Sequence, residues 1–253
     1  SHTIIKAQKE DEFLNAYSDK KLGSFVEKGN TVFRVFAPRA VSATLKIFKK
    51  VDDDYGQELK MDKDNDGVWE ATIQGEQYGL YYGYIIINPE DSVLEKSKVV
   101  ILDPYAKAVA TFNTYMNPRL GIVVKDGGFD WGKDKWIQRD WRDLIVYEMH
   151  LRDQTAHPSS GAKNPGTYKG LIEKGKKGGI DYINSLNVNT VELLPAQEFG
   201  NIEIPYRDAE HNRFNTWNPY ERNHWGYMTA AFFAPEAYYA ENWAKLRWNQ
   251  WMG

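Results

Sequence analysis

At 253 residues the chain can hold one or two domains with a real apolar core. Its 32 basic and 35 acidic side chains, a net charge of -3 with both signs interspersed, exclude the basic surface that nucleic acid or an anionic membrane would require. No apolar run nears the roughly 20 residues that span a bilayer, no signal peptide stands at the present start, and zero cysteines remove disulfides and thiolate sites while leaving a soluble protein's compartment, cytoplasmic or secreted, open. Nine Trp and sixteen Tyr are the compositional oddity: aromatic faces stack on sugar rings, although β domains are aromatic-rich in any case.

Residues 1–20 are charged and weakly patterned and read as an N-terminal arm. From Leu22 the pattern changes. Period-2 alternation runs through Thr31–Pro38, Ala43–Phe48, Val68–Ile73 and Tyr81–Ile87, bounded by Gly, Pro and Asp clusters, and predicts the antiparallel strands of an Ig-like β-sandwich over residues 21–115. Between two of these runs, Asp62-Lys63-Asp64-Asn65-Asp66-Gly67 fits the first half of a calcium loop, but Ile73 stands where that loop needs a bidentate Glu. A polar hairpin turn explains the same residues. In the last run Tyr82 and Tyr84 share one face and Tyr81 takes the other, so one set is core and one exposed. With Trp69 they are the candidate sugar platform of this half.

Residues 116–142 carry little periodicity and read as a linker on which Trp131, Trp136 and Trp141 act as packing anchors. The apolar run Leu144–Leu151, a helical stretch around Leu171–Leu186 and a second run Thr190–Pro195 then predict a strand, a helix and a parallel strand. This is the opening of a (β/α) barrel over residues 143–240, incomplete, with about two βα units. Such strands are apolar on both faces, so an uncovered edge predicts a homo-oligomer. Glu148 and His150 share one side and read as structural; with no second ligand at metal spacing, neither a metal nor a cofactor is assigned. Residues 241–253 form a Trp-rich tail in which Trp243, Leu246 and Trp251 suit a short amphipathic helix that covers apolar surface.

The order and spacing of Leu22-Gly23, Ala37-Pro38, Gly67-Val68-Trp69, Gly79 with Tyr81 and Tyr84, and Asp103-Pro104-Tyr105-Ala106 resemble the early-set starch- and glycogen-binding module of pullulanases and isoamylases. The Leu144–Leu151 run, Asn223-His224-Trp225-Gly226-Tyr227-Met228 and Phe233-Ala234-Pro235-Glu236 resemble the start of the catalytic barrel of the same α-amylase superfamily enzymes. This resemblance implies a polysaccharide or oligosaccharide partner, with Tyr227 stacking under the sugar and Trp225 and Asn223 as supports. It also implies a chain truncated before the family's nucleophilic Asp, acid/base Glu and second Asp, none of whose motifs matches here. The expected function is a glucan-interacting fragment with absent or residual hydrolase activity. The alternative is a hydrolase that recruits a new carboxylate pair from Asp153, Glu192, Glu198, Glu203, Asp208 and Glu210, possibly on a polysaccharide other than an α-glucan, with Glu192 and Glu198 as the catalytic candidates.

Overall fold

The computed structural model describes residues 15–51, 53, 55–89, 99–110, 119–125, 127–200 and 223–241. It divides into two compact units, residues 1–126 and 127–253. Among the described residues no helix is long and apolar enough to cross a membrane.

The first unit is two four-stranded antiparallel sheets. One contains β1 (Gly23–Glu27), β2 (Asn30–Phe36), β5 (Asp62–Lys63) and β6 (Val68–Gln74), in the order β1-β2-β6-β5; the other contains β3 (Ser42–Phe48), β4 (Gln57–Lys60), β7 (Tyr81–Ile87) and β8 (Gly121–Ile122), in the order β4-β3-β7-β8. The four alternating runs therefore become β2, β3, β6 and β7. Lys28 and Gly29, both at positive φ, make the two-residue turn between β1 and β2, the twist that matches a tight hairpin. Phe33 and Val35 from one sheet meet Leu45, Tyr82 and Tyr84 from the other in one buried cluster. Each sheet thus covers the apolar face of its neighbour, which is the sandwich arrangement.

The Asp62–Gly67 segment is β5 followed by the turn, residues 64–67, that leads into β6. The Asp64 carboxylate accepts from the backbone N–H groups of Asp66 and Val68 at 3.2 and 3.0 Å, and Lys20 pairs with Asp64 and Asp66. The sheet also reaches beyond residue 115: Gly121 lies opposite Tyr82, and Leu120 and Val123 are buried. Residues 119–125 thus belong to the sandwich, where a linker was expected. Two residues of strand are too short to show alternation, so sequence periodicity misses them.

In the second unit β9 (Val146–Met149) and β10 (Thr190–Leu193) pair in parallel, Val146 against Thr190 through Met149 against Leu193. β11 (Gln197–Phe199) and β12 (Thr229–Pro235) form a separate antiparallel pair. The single helix expected around Leu171–Leu186 is replaced by short helices at Asp153–Ala156, Tyr168–Leu171 and Ile180–Ser185. The cause lies in Lys174-Gly175-Lys176-Lys177-Gly178-Gly179, where Gly175 and Gly179 adopt positive φ and end any helix. In place of helix–helix packing, buried Thr155 accepts from the Gly166 N–H at 2.9 Å, and Glu173 accepts from the N–H groups of Lys163 and Asn164.

The three linker tryptophans are exposed, Trp136 at 92%, and do not act as buried anchors. Asp130, Lys133, Asp134, Lys135, Arg139 and Asp140 lie between or beside them and hold the segment in solvent. Trp131 packs edge-on against Phe129, and Trp131, Trp136 and Trp141 line a groove of about 750 Å³ with Leu144, Asn189 and Thr190. Glu203, Asp208, Glu210, Trp243, Leu246 and Trp251 lie outside the described residues.

Candidate functional site

In the sandwich, the sugar-platform candidates are core. Trp69 is 6% exposed and donates its indole N–H to the Ala37 carbonyl at 3.0 Å. Tyr82 and Tyr84 are fully buried. Their hydroxyls point at one buried carboxylate, Asp103, at 2.7 and 3.4 Å, which in turn accepts from the Tyr105 N–H at 2.9 Å. Burial pushes the Asp103 pKa upward, the tyrosine bonds pulling against it. The Asp103-Pro104-Tyr105-Ala106 motif therefore closes the core through a carboxylate that sequence reading did not single out. These three aromatics are corrected from sugar platform to packing: alternation could not say which face of β7 was inward.

In the second unit the contact candidates stand in the open. Trp225 and Tyr227 are each 57% exposed, and Asn223 between them and β11 donates to the Tyr227 carbonyl at 2.6 Å and the Gly200 carbonyl at 3.3 Å. Gly226, at φ +84°, separates the two rings; a Cβ there would meet the Pro195 carbonyl oxygen at 2.5 Å. Only glycine permits this close approach of backbone to backbone.

The carboxylate candidates are not brought together. Glu192 is exposed on β10, while Glu198 is buried on β11, in the other sheet, and accepts from the Ala237 N–H at 3.1 Å. Beside it, Glu236 accepts from the N–H groups of Phe199 and Tyr238. These two buried acids therefore fasten the β11–β12 pair to the turn that follows it. The exposed neighbour that Glu192 does have is Glu148, its register partner on β9.

His150 departs from the expectation that Glu148 and His150 share a face. Glu148 is exposed and His150 is 5% exposed, because the strand ends at Met149 and the chain turns. Nor is His150 without company. Its Nδ1 lies 3.5 Å from Asp153 Oδ1, and the His224 ring stacks on it at 4.6 Å. Asp153 stands at i+3, visible in the sequence; His224 is brought there by the fold.

Residues 21–106 match carbohydrate-binding module 48, the isoamylase N-terminal domain. The chloroplastic isoamylase SU1 of Zea mays is 33% identical over 241 residues, 87% of this chain and 28% of that protein. The pullulanase of Bacillus subtilis strain 168 is 32% identical over 245 residues, 94% of this chain and 30% of that protein. The crystal structure of B. subtilis type I pullulanase complexed with maltose superimposes with a TM-score of 0.69 at 30% identity, covering 92% of this chain and 30% of that one. The chain thus spans under a third of the length of these relatives. Residues 21–106 are a carbohydrate-binding module of the isoamylase N-terminal type, and over most of its length the chain is similar to part of the isoamylases and pullulanases.

Proposed function

We propose that the chain binds α-glucan oligosaccharides, with Trp225 and Tyr227 as the stacking surface, and has absent or residual hydrolase activity of its own. The observation that carries this reading is the exposed aromatic pair held by Asn223 and Gly226. Maltose in the B. subtilis pullulanase structure supports the ligand class. The parallel pairing of β9 with β10 across short helices supports reading residues 143–240 as the first two βα units of a (β/α) barrel.

Hydrolysis by a recruited pair is the weaker reading. It needs two carboxyl groups about 5 Å apart for retention or about 6.5–9.5 Å for inversion, and Glu198 is already committed to holding backbone on a separate sheet from Glu192.

Affinity electrophoresis through glycogen tests the proposal. The wild-type chain is retarded, and Tyr227→Ala and Trp225→Ala each weaken the apparent affinity roughly 10-fold. Unretarded wild type would sink it. A parallel screen on pullulan, starch, chitin and peptidoglycan, with Glu192→Gln and Glu198→Gln beside it, decides the other question: turnover lost in a carboxylate variant would establish the hydrolase.

A further inference from the structure

The tautomer of His150 can be read from its partners. Nε2 lies 2.7 Å from the His224 backbone carbonyl oxygen, and a carbonyl only accepts, so Nε2 carries the hydrogen. The Tyr239 hydroxyl lies 3.1 Å from the same nitrogen. Nδ1 is then left with its lone pair. It faces the Asp153 carboxylate Oδ1 at 3.5 Å and accepts from the Asp153 N–H at 3.4 Å. That long bond leaves the Nδ1 lone pair and an anionic oxygen side by side with no hydrogen shared between them. The Asp153 N–H can only donate, so Nδ1 is an acceptor and the ring is neutral. The same Oδ1 lies 3.1 Å from His224 Nε2, and Asp153 Oδ2 lies 3.2 Å from it. The three donor atoms all lie within 4.8 Å of one another.

We propose that His150 Nδ1, the Asp153 carboxylate and His224 Nε2 bind a divalent transition-metal ion of the zinc class, with the remaining position open to water. A neutral imidazole whose lone pair faces a carboxylate is a donor pair that such an ion bridges. With bonds of about 2.0–2.2 Å, tetrahedral donors stand roughly 3.3 Å apart, close to the two separations to Asp153 already present. The third separation, between the two ring nitrogens and within 4.8 Å, closes by rotation of the His224 ring, which is partly exposed. Imidazole donors favour zinc, cobalt, nickel or copper over calcium and magnesium, which select oxygen. The second requirement of such a site is also met: the nitrogen of His150 opposite the ion donates to a backbone carbonyl, which fixes tautomer and ring plane. That carbonyl belongs to His224, so one residue supplies both a ligand and the hydrogen bond that orients the other. This site is independent of the glucan reading.

The test is isothermal titration of zinc chloride into the untagged, chelator-treated chain, with calcium and magnesium as controls and cobalt added for its visible spectrum. One zinc ion binds per chain, cobalt gives the intense tetrahedral absorption, and calcium and magnesium give no heat at the same concentrations. His224→Ala and Asp153→Asn each weaken zinc binding by on the order of 100-fold with circular dichroism unchanged, since both side chains are partly exposed. No zinc binding at micromolar concentration overturns the proposal. So does binding that survives both substitutions, or a cobalt spectrum of octahedral character.

Discussion

The two units solve the same problem, an apolar strand in water, with different success among the described residues. In the sandwich each strand is apolar on one face, and Phe33, Leu45, Trp69, Tyr82 and Tyr84 close that face against the opposite sheet. β9 and β10 are a parallel pair with Val146, Val191 and Leu193 exposed. The difference follows from sheet type. An antiparallel strand with alternating residues needs one cover, which a second sheet supplies, whereas a parallel strand is apolar on both faces and needs two. Layer closure, not the number of apolar residues, decides which unit stands by itself.

The sharpest way to break this comparison is to empty the sandwich. Trp69→Ala is expected to cost about 3–5 kcal/mol in urea unfolding and to leave the glucan affinity of the folded fraction unaltered. Lost affinity at full stability would return Trp69 to the surface. Asp103→Ala follows, at roughly 1–3 kcal/mol for each tyrosine hydroxyl left without its acceptor, read from the same transition. A milder variant, Asp103→Asn, sharpens the electrostatics. A carboxyl whose folded pKa is raised stabilises the protonated fold, a contribution present below the unfolded value and lost as pH rises through the folded one. Wild type therefore loses stability over that interval relative to Asp103→Asn, and parallel pH profiles would refute the assignment.

For the second unit the expected consequence is association. Light scattering at micromolar concentration should report dimers or larger species formed through β9, β10 and exposed Phe232, and Val191→Lys should weaken the association at least 10-fold. A wild-type monomer under the same conditions would show that something covers these strands. The smallest effect concerns Glu173, whose pKa is held below the ordinary carboxylate range chiefly by the Lys163 N–H and by Asn164. Its contribution is present above the unfolded pKa and lost as pH falls through the lower folded one. Hydrogen exchange at Lys163 and Asn164, corrected for intrinsic rate, should quicken on acidification and be pH-insensitive in Glu173→Gln.

Strand alternation made β2, β3, β6 and β7 legible from sequence, because each is long enough to show a period and has one buried face. The parallel relation of β9 and β10 was legible from spacing alone. Apart from β8, too short to show a period, most of what escaped depends on partners far along the chain. The buried side of β7 is decided by Asp103, 19 and 21 residues away from its two tyrosines. His150 becomes a candidate ligand through His224, and its i+3 partner Asp153 counts only once the turn after β9 is known. Glu198 reads as an acid near a cleft until the Ala237 N–H is found on it. Local propensity did mislead once, at Leu171–Leu186, where apolar spacing outweighed a run of glycines.

The Gly200 N–H donates to the Met228 carbonyl at 2.9 Å, and Asn223 reaches back to Gly200. Asn223 also donates to the Tyr227 carbonyl, so the backbone on both sides of Trp225 and Tyr227 is tied by hydrogen bonds. An exposed ring pair braced in this way has less conformational freedom to lose in any contact it makes.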